Sequence, residues 1–229
     1  PGPVLVDIPS NILKDKTEFN YPDRVDLPGY SPTYKANKLQ LKRAAELINK
    51  ANKPVIYAGG GSIISGADRE ISELAQRAEI PVTTTLNGIG IFDENSYLSL
   101  GMLGMHGTTE ANLAITNTDL IIALGARFDD RVTGKLDDFA VNADVIHIDI
   151  DPAEIAKIVK TKIPITADVK TALKALLPKI KEVKRPAWLK EIEEWKKIDQ
   201  QADPEKAEKL LPSEIIETLY QLTEGNAII

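Results

Sequence analysis

Two guanidinium groups, Arg127 and Arg131, flank the triplet Phe128-Asp129-Asp130 directly after a glycine-bounded apolar run. A guanidinium is always charged and forks onto phosphate oxygens. Arg127 and Arg131 therefore point to a phosphorylated ligand, although pairing with Asp129, Asp130 or Asp137 on a solvated surface is the alternative, worth about 0 to 1 kcal/mol. Leu120–Leu124, entered from Asn117-Thr118-Asp119 and left at Gly125, reads as a strand buried on both faces. Gly125 and Ala126 then stand outside the carboxyl end of that strand, where small residues let a ligand come close to the main chain. A second cluster, Gly101, Gly104 and Gly107 around Met105 and His106, lies one helix and one strand upstream. His106 has no carboxylate fixed beside it in sequence, so it reads as a hydrogen-bonded loop histidine rather than a general base, and no catalytic residue is assigned.

The elements that must position these groups follow a β-α pattern. Asn37 is a candidate N-cap for a helix carrying Leu39, Leu41, Ala44, Ala45, Leu47 and Ile48 at helical spacing. Val55–Ala58 is a buried strand, followed by Gly59, Gly60, Gly61 and Ser62 and then by a helix from Ala67 to Ala78. The spacing GGGxxxxG is neither the GxGxxG fingerprint nor a P-loop, so a tight turn and a phosphate-approaching loop both remain open. Ile80–Leu86 is the next strand, with Thr84 and Thr85 at its carboxyl end, and Phe92 to Leu100 reads as a surface loop. Thr108-Thr109-Glu110 opens a helix over Ala111–Thr116. Val145 to Ile150 favours strand, with Asp149 at its end and Asp151-Pro152 as N-cap and first residue of a following helix. Ile163–Asp168 reads as a short edge strand before a helix from Val169 to Leu177. Asp149 and Asp168 each suit both a cap and a ribose contact.

Alternating strands and helices give an α/β class with a parallel sheet. At 229 residues, one core plus attached segments is expected. Val4–Ile8 reads as a β-like run closed by prolines, as though an element preceded it, and residues 20–34 read as a linker. After Pro178, Trp188, Ile192 and Trp195 recur at helical spacing and read as a connector packing on a partner domain, and a last helix runs from Leu211-Pro212-Ser213 through Leu222. A net charge of -6 argues against nucleic acid as a main partner. There is no cysteine, so disulfides and thiolate chemistry are excluded, and with only His106 and His147 a metal site is not expected. No apolar run approaches the roughly 20 residues of a membrane span. A cytoplasmic location is expected.

These motifs together resemble the acetolactate synthase (acetohydroxyacid synthase) large catalytic subunit, in its central domain. VLVDIP, YAGGG, TTTLNGIG, LGMLGMHGT, LGARFDDRVTG, HIDIDPAEI and ADV stand in the family's order, and GMHGT followed by GARFDDRVTG is specific to it. The resemblance implies a Rossmann-like, parallel-sheet domain that binds FAD and has helices on both faces. It places an end of the preceding domain and a linker at 1–35, the FAD domain at 36–182 and a helical linker at 183–229. By the same resemblance Gly59, Gly60 and Gly61 approach the FAD phosphates and ribityl chain, and Thr84, Thr85 and Leu86 lie beneath the flavin. Gly104, Met105, His106 and Gly107 contact the flavin, while Gly125, Ala126, Arg127, Asp129, Arg131 and Val132 form the main cofactor run. Asp149, Ile150, Asp168 and Val169 surround the adenosine half. Met105 and Asp130 match positions near the substrate channel.

In the full enzyme, thiamine diphosphate and Mg²⁺ are held by flanking domains, and pyruvate is condensed with a second 2-keto acid in branched-chain amino acid biosynthesis. The glutamate and GDG motif this requires are not in this chain, which alone is expected to bind FAD without turnover. The expected partners are those flanking domains, further copies of the subunit and a regulatory small subunit. Two alternatives stand beside this reading: a related thiamine enzyme whose middle domain takes ADP or no nucleotide, and a structural module joining two domains. A zinc-dependent, NAD-using deacylase shares the implied fold but lacks its cysteines here.

Overall fold

The computed structural model describes residues 5–24, 31–201 and 212–227. The chain divides into two compact units, Pro1–Ser31 and Pro32–Ile229. In the first, residues 5–9 are exposed and carry no strand, contrary to the β-like reading of Val4–Ile8, whose Val4 lies outside the described residues. Apolar side chains alone do not make a strand when its backbone groups have no ladder to join. A five-residue helix, α1 (Ser10–Lys14), follows with no buried residue. Of the expected linker, 20–24 and 31–34 carry neither helix nor strand, and 25–30 lie outside the described residues.

In the second unit, Asn37 caps α2 (Lys38–Lys50), its Oδ1 accepting from the N–H of Leu39 at 2.9 Å. The strands are β1 (Pro54–Ala58), β2 (Val82–Thr84), β3 (Ser99–Met102), β4 (Leu120–Leu124), β5 (Asp144–Asp149) and β6 (Ile163–Thr166). The remaining helices are α3 (Gly60–Ser65), α4 (Asp68–Ala78), α5 (Thr109–Asn117), α6 (Asp130–Thr133), α7 (Val169–Leu176), α8 (Pro186–Gln201) and α9 (Pro212–Thr223). All strand pairs are parallel, in the order β3-β2-β1-β4-β5-β6. That is the doubly wound, Rossmann-like order, whose direction of winding reverses between β1 and β4.

Alternate residues of the central strands serve opposite layers. Ile56, Ala58, Ile122, Leu124, Ile146 and Ile148 share a core with α2, α4 and α7. Val55, Tyr57, Ile121, Ala123 and Val145 share the other with α5 and α8. Helices on both faces are why these strands are apolar without alternation.

Four local readings are corrected. Ser99–Met102 is an edge strand, and Leu98 and Leu100 are fully buried where a surface loop was expected; the polar Asp93-Glu94-Asn95-Ser96 ahead of it hides so short a strand. α3 starts at Gly60, so the glycine run opens a helix directly instead of preceding a loop. Asp151-Pro152 opens turns rather than a helix, with Asp151 Oδ1 accepting from the N–H of Ala153 at 2.9 Å. The tryptophan stretch packs within this unit, where a partner domain was expected to cover it: Trp188 and Ile192 are each 2% exposed, and Trp188 Nε1 donates to Pro54 O at 3.1 Å. The cause is volume, because α5 brings only Ala111, Ala114 and Ile115 to that face.

Arg185 ties α8 to the opposite layer. Its guanidinium, 5% exposed, donates to Ala51 O (3.1 Å) and Ile48 O (2.8 Å) at the end of α2 and to Ala78 O at the end of α4. A cation at two helix carboxyl ends meets both macrodipoles and supplies donors to carbonyls that the helices leave free. We expect Arg185→Met to lower unfolding free energy by about 3 kcal/mol, from the carbonyls left unpaired. Urea denaturation of the two proteins checks this, and a loss within about 0.5 kcal/mol would remove the role.

Candidate functional site

The chain leaves β1 and β4 side by side, backbone against backbone. Gly59 N–H donates to Leu124 O (2.9 Å) and Gly61 N–H to Gly125 O (3.0 Å), while Ser62 Oγ donates to Leu124 O at 2.8 Å. A Cβ on Gly59 would stand 2.3 Å from Gly125 O, and one on Gly61 2.8 Å from Gly125 Cα. Gly125 itself has φ +53° and a Cβ there would meet Gly61 at 2.7 Å. Only glycine allows this approach.

Around the interlock opens a cleft of about 640 Å³. Loops beyond the carboxyl ends of β1 to β5 line it, the place where open parallel sheets bind ligands. Of the residues singled out in the sequence, the cleft brings together Gly60, Gly61, Thr85, Leu86, Met105, His106, Gly125, Ala126, Arg127, Asp129, Arg131, Val132 and Asp149. The others stand behind or away from the wall. Gly59 serves the interlock, and Thr84 is buried with its Oγ1 unpartnered among the described residues. Gly104, at φ +115°, leaves no room for a Cβ, which would lie 2.8 Å from Arg131 O, and one on Gly107 would lie 2.1 Å from Met102 O. Ile150 is 39% exposed and is not on the wall. Asp168 caps α7, accepting from Thr171 N–H (2.8 Å) and Ser65 Oγ (2.6 Å), and Val169 is buried in the first core. Both capping oxygens of Asp168 are thus engaged.

The wall also holds residues not singled out, among them Tyr57, Ile63, Ile64, Asn87, Met102, Leu103 and Glu154. Ile63 and Ile64 were hidden because the start of α3 at Gly60 was not read. Together with Leu86 and Met105 they give the cleft an apolar lining. The opposite character comes from Arg127 and Arg131, which make no ion pair or side-chain hydrogen bond among the described residues. The neighbouring carboxylates do not take them up: Asp130 Oδ1 accepts from the main chain of Arg131 at 2.9 Å.

The segment carrying Arg127 is anchored from below. Phe128, 4% exposed, sits 5.5 Å from the rings of both Tyr57 and His147, which occupy the same register row on either side of Ala123. Tyr57 Oη donates to Arg127 O at 3.4 Å. His147 Nε2 lies 3.0 Å from Ala126 O; a carbonyl only accepts, so Nε2 carries the proton and Nδ1 is bare, buried and, among the described residues, unpartnered. Burial lowers the pKa of His147 below its ordinary value, with Asp149 opposing in part. Burial raises that of Asp149, whose Oδ1 accepts from Asp151 N–H at 2.9 Å.

The site is a glycine-built crevice at the reversal point of a doubly wound parallel sheet, lined by apolar side chains and by guanidinium groups that are unpaired among the described residues. Residues 41–176 match the family described as thiamine pyrophosphate enzyme, central domain, and the chain belongs to that family. Among its relatives, the acetolactate synthase large subunit of Buchnera aphidicola (subspecies Schizaphis graminum) is 43% identical over 235 residues, covering 100% of this chain and 41% of that protein. The acetolactate synthase large subunit of Porphyra purpurea is 46% identical, covering 98% of this chain and 39% of the relative. A probable acetolactate synthase large subunit of Methanocaldococcus jannaschii is 50% identical over 86% of this chain and 34% of its own length. The chain thus spans about two fifths or less of the relatives it matches. The resemblance drawn from the motifs is borne out.

The protonation of His147 yields a pH prediction. Below its unfolded value of 6.5 the unfolded chain takes a proton that the native site refuses, so native stability falls as pH falls, until the depressed native value is reached. The raised pKa of Asp149 acts with the opposite sign, so the comparison of variants isolates His147. Urea midpoints of the wild type are expected to drop more between about pH 7.5 and about pH 5 than those of His147→Gln. Parallel pH profiles would show that His147 is not the group responsible.

Proposed function

We propose that this chain is the FAD-binding central domain of an acetolactate synthase large subunit acting in the cytoplasm. The observation that carries the proposal is the pair of guanidinium groups, Arg127 and Arg131, unpaired among the described residues and lining the same cleft as the glycine interlock of β1 and β4. A dinucleotide has a diphosphate for such groups and a flat ring system for an apolar wall. The cleft volume is within the range that encloses ligands of this kind. Its residues therefore fit the group that the family resemblance implies.

In this reading Gly60 and Gly61 let the diphosphate approach the main chain, and Arg127 and Arg131 neutralise it. Ile63, Ile64, Leu86 and Met105 exclude water from the ring system, and Asp149 accepts from ribose hydroxyls. Condensing two 2-keto acids with loss of CO₂ is redox-neutral, so bound FAD supplies a flat aromatic surface rather than net electron transfer. The carbon–carbon chemistry belongs to thiamine diphosphate with Mg²⁺, in flanking domains at either end of this span. Further copies of the subunit and a regulatory small subunit complete the assembly. Alone, this chain binds and does not turn over.

Calorimetric titration with FAD, with ADP and NAD as competitors, tests the reading. Saturable FAD binding is expected, weakened about tenfold to a hundredfold by Arg127→Ala, since a charge-assisted bond contributes about 1.5 to 3 kcal/mol. Tighter binding of ADP than of FAD would move the chain to the branch of thiamine enzymes that hold ADP. FAD binding unaffected by Arg127→Ala would place the ligand elsewhere.

A further inference from the structure

One side chain outside the cleft grips the residue where two of its walls meet. Asn112, half-buried on α5, accepts at Oδ1 from Gly104 N–H (3.3 Å) and donates from Nδ2 to Gly104 O (3.0 Å) and Thr108 O (2.9 Å). A primary amide can engage both main-chain groups of one residue, which a carboxylate or a hydrocarbon of the same size cannot. Gly104 in turn lies against the second loop: a Cβ on it would come within 2.8 Å of Arg131 O. The adjoining Met105 N–H donates to that same carbonyl at 3.0 Å. Met105 and Arg131 both face the cleft, whereas Asn112 is not part of its wall.

We propose that Asn112 is a positioning residue: by clamping Gly104 it sets where Met105 and His106 stand relative to Arg131, and so fixes the width of the cleft on its flavin side. This rests on the FAD reading above for its ligand, and on hydrogen bonds alone for its structural half. Without the clamp, Gly104 keeps only the bond from Gly107 N–H to its carbonyl (2.9 Å) and its own N–H loses its acceptor; a glycine at positive φ is then less restrained, and the ligand must order the loop further at binding, which weakens affinity. ADP has no flavin to meet this loop, so its binding is independent of Asn112.

The test uses the purified chain with Asn112→Ala and the near-isosteric Asn112→Asp, whose carboxylate faces the Gly104 and Thr108 carbonyls without a donor. Amide hydrogen exchange, followed by NMR, is expected to speed up about tenfold or more at Gly104 and Met105 in Asn112→Ala and at Met105 in Asn112→Asp, whose carboxylate still accepts from Gly104 N–H, with core amides such as Ile122 unchanged. FAD affinity is expected to fall about tenfold while ADP affinity holds. Unchanged exchange at Gly104 in Asn112→Ala would overturn the proposal, and so would an equal loss of FAD and ADP affinity, which marks general loosening. Should the wild type bind ADP but no FAD, the FAD reading fails, and the exchange rates at Gly104 still decide whether the clamp exists.

Discussion

The contact between Gly59–Gly61 and Gly125 is the constraint on which the site depends. β1 and β4 are adjacent only because the winding of the sheet reverses there, and after that point their chains part. The β1 side runs into α3 and then to Ala67 and Ile71 in one core, and the β4 side runs through Ala126 and Phe128 into the other. Two segments leaving one point for opposite layers open a crevice between them, and its depth is set by how closely they can start. Side chains at Gly59, Gly61 or Gly125 would hold the segments apart by collision with backbone. The glycines therefore act first through packing, and access for a ligand to the main chain follows from it.

The second requirement is a cation held without a partner among the described residues. A guanidinium with Asp129 and Asp130 beside it in sequence would ordinarily find one, and among the described residues neither Arg127 nor Arg131 does. Phe128 is drawn inward between Tyr57 and His147, where the small Ala123 leaves room. Its neighbours on either side, Arg127 and Asp129, are then turned outward to the cleft. The buried aromatic cluster thus converts apolar burial into the orientation of a charge. His147 contributes as a neutral donor, which is why its proton equilibrium is coupled to stability.

Much of this was legible before any coordinates. Val55–Ala58, Leu120–Leu124 and Val145–Ile148 are recognisable because strands covered on both faces must be apolar throughout, and Asn37 and Asp168 because capping needs a short polar side chain. What escaped was local structure with a weak pattern: β3 has four residues, and α3 begins on glycines that read as loop. The destination of Trp188 was not legible either, since periodicity shows that a helix has an apolar face but not what covers it. For the site, residue types on the β4 loop pointed to the cleft, and the structure gathers them there. Asp168 shows the limit, because a cap and a ribose contact ask for the same carboxylate and only its position tells which bonds it makes. Asn112 left no signal at all, as its role lies in two main-chain bonds to a residue eight positions away.

The most direct measurement is a crystal structure of this chain grown with saturating FAD. The account predicts the dinucleotide lying over the carboxyl ends of β1 and β4, its diphosphate against Gly60, Gly61 and Arg127 and its ring system against Met105 and Leu86. A dinucleotide bound at any other face, or one over this edge that leaves Arg127 and Arg131 without contact, would contradict it.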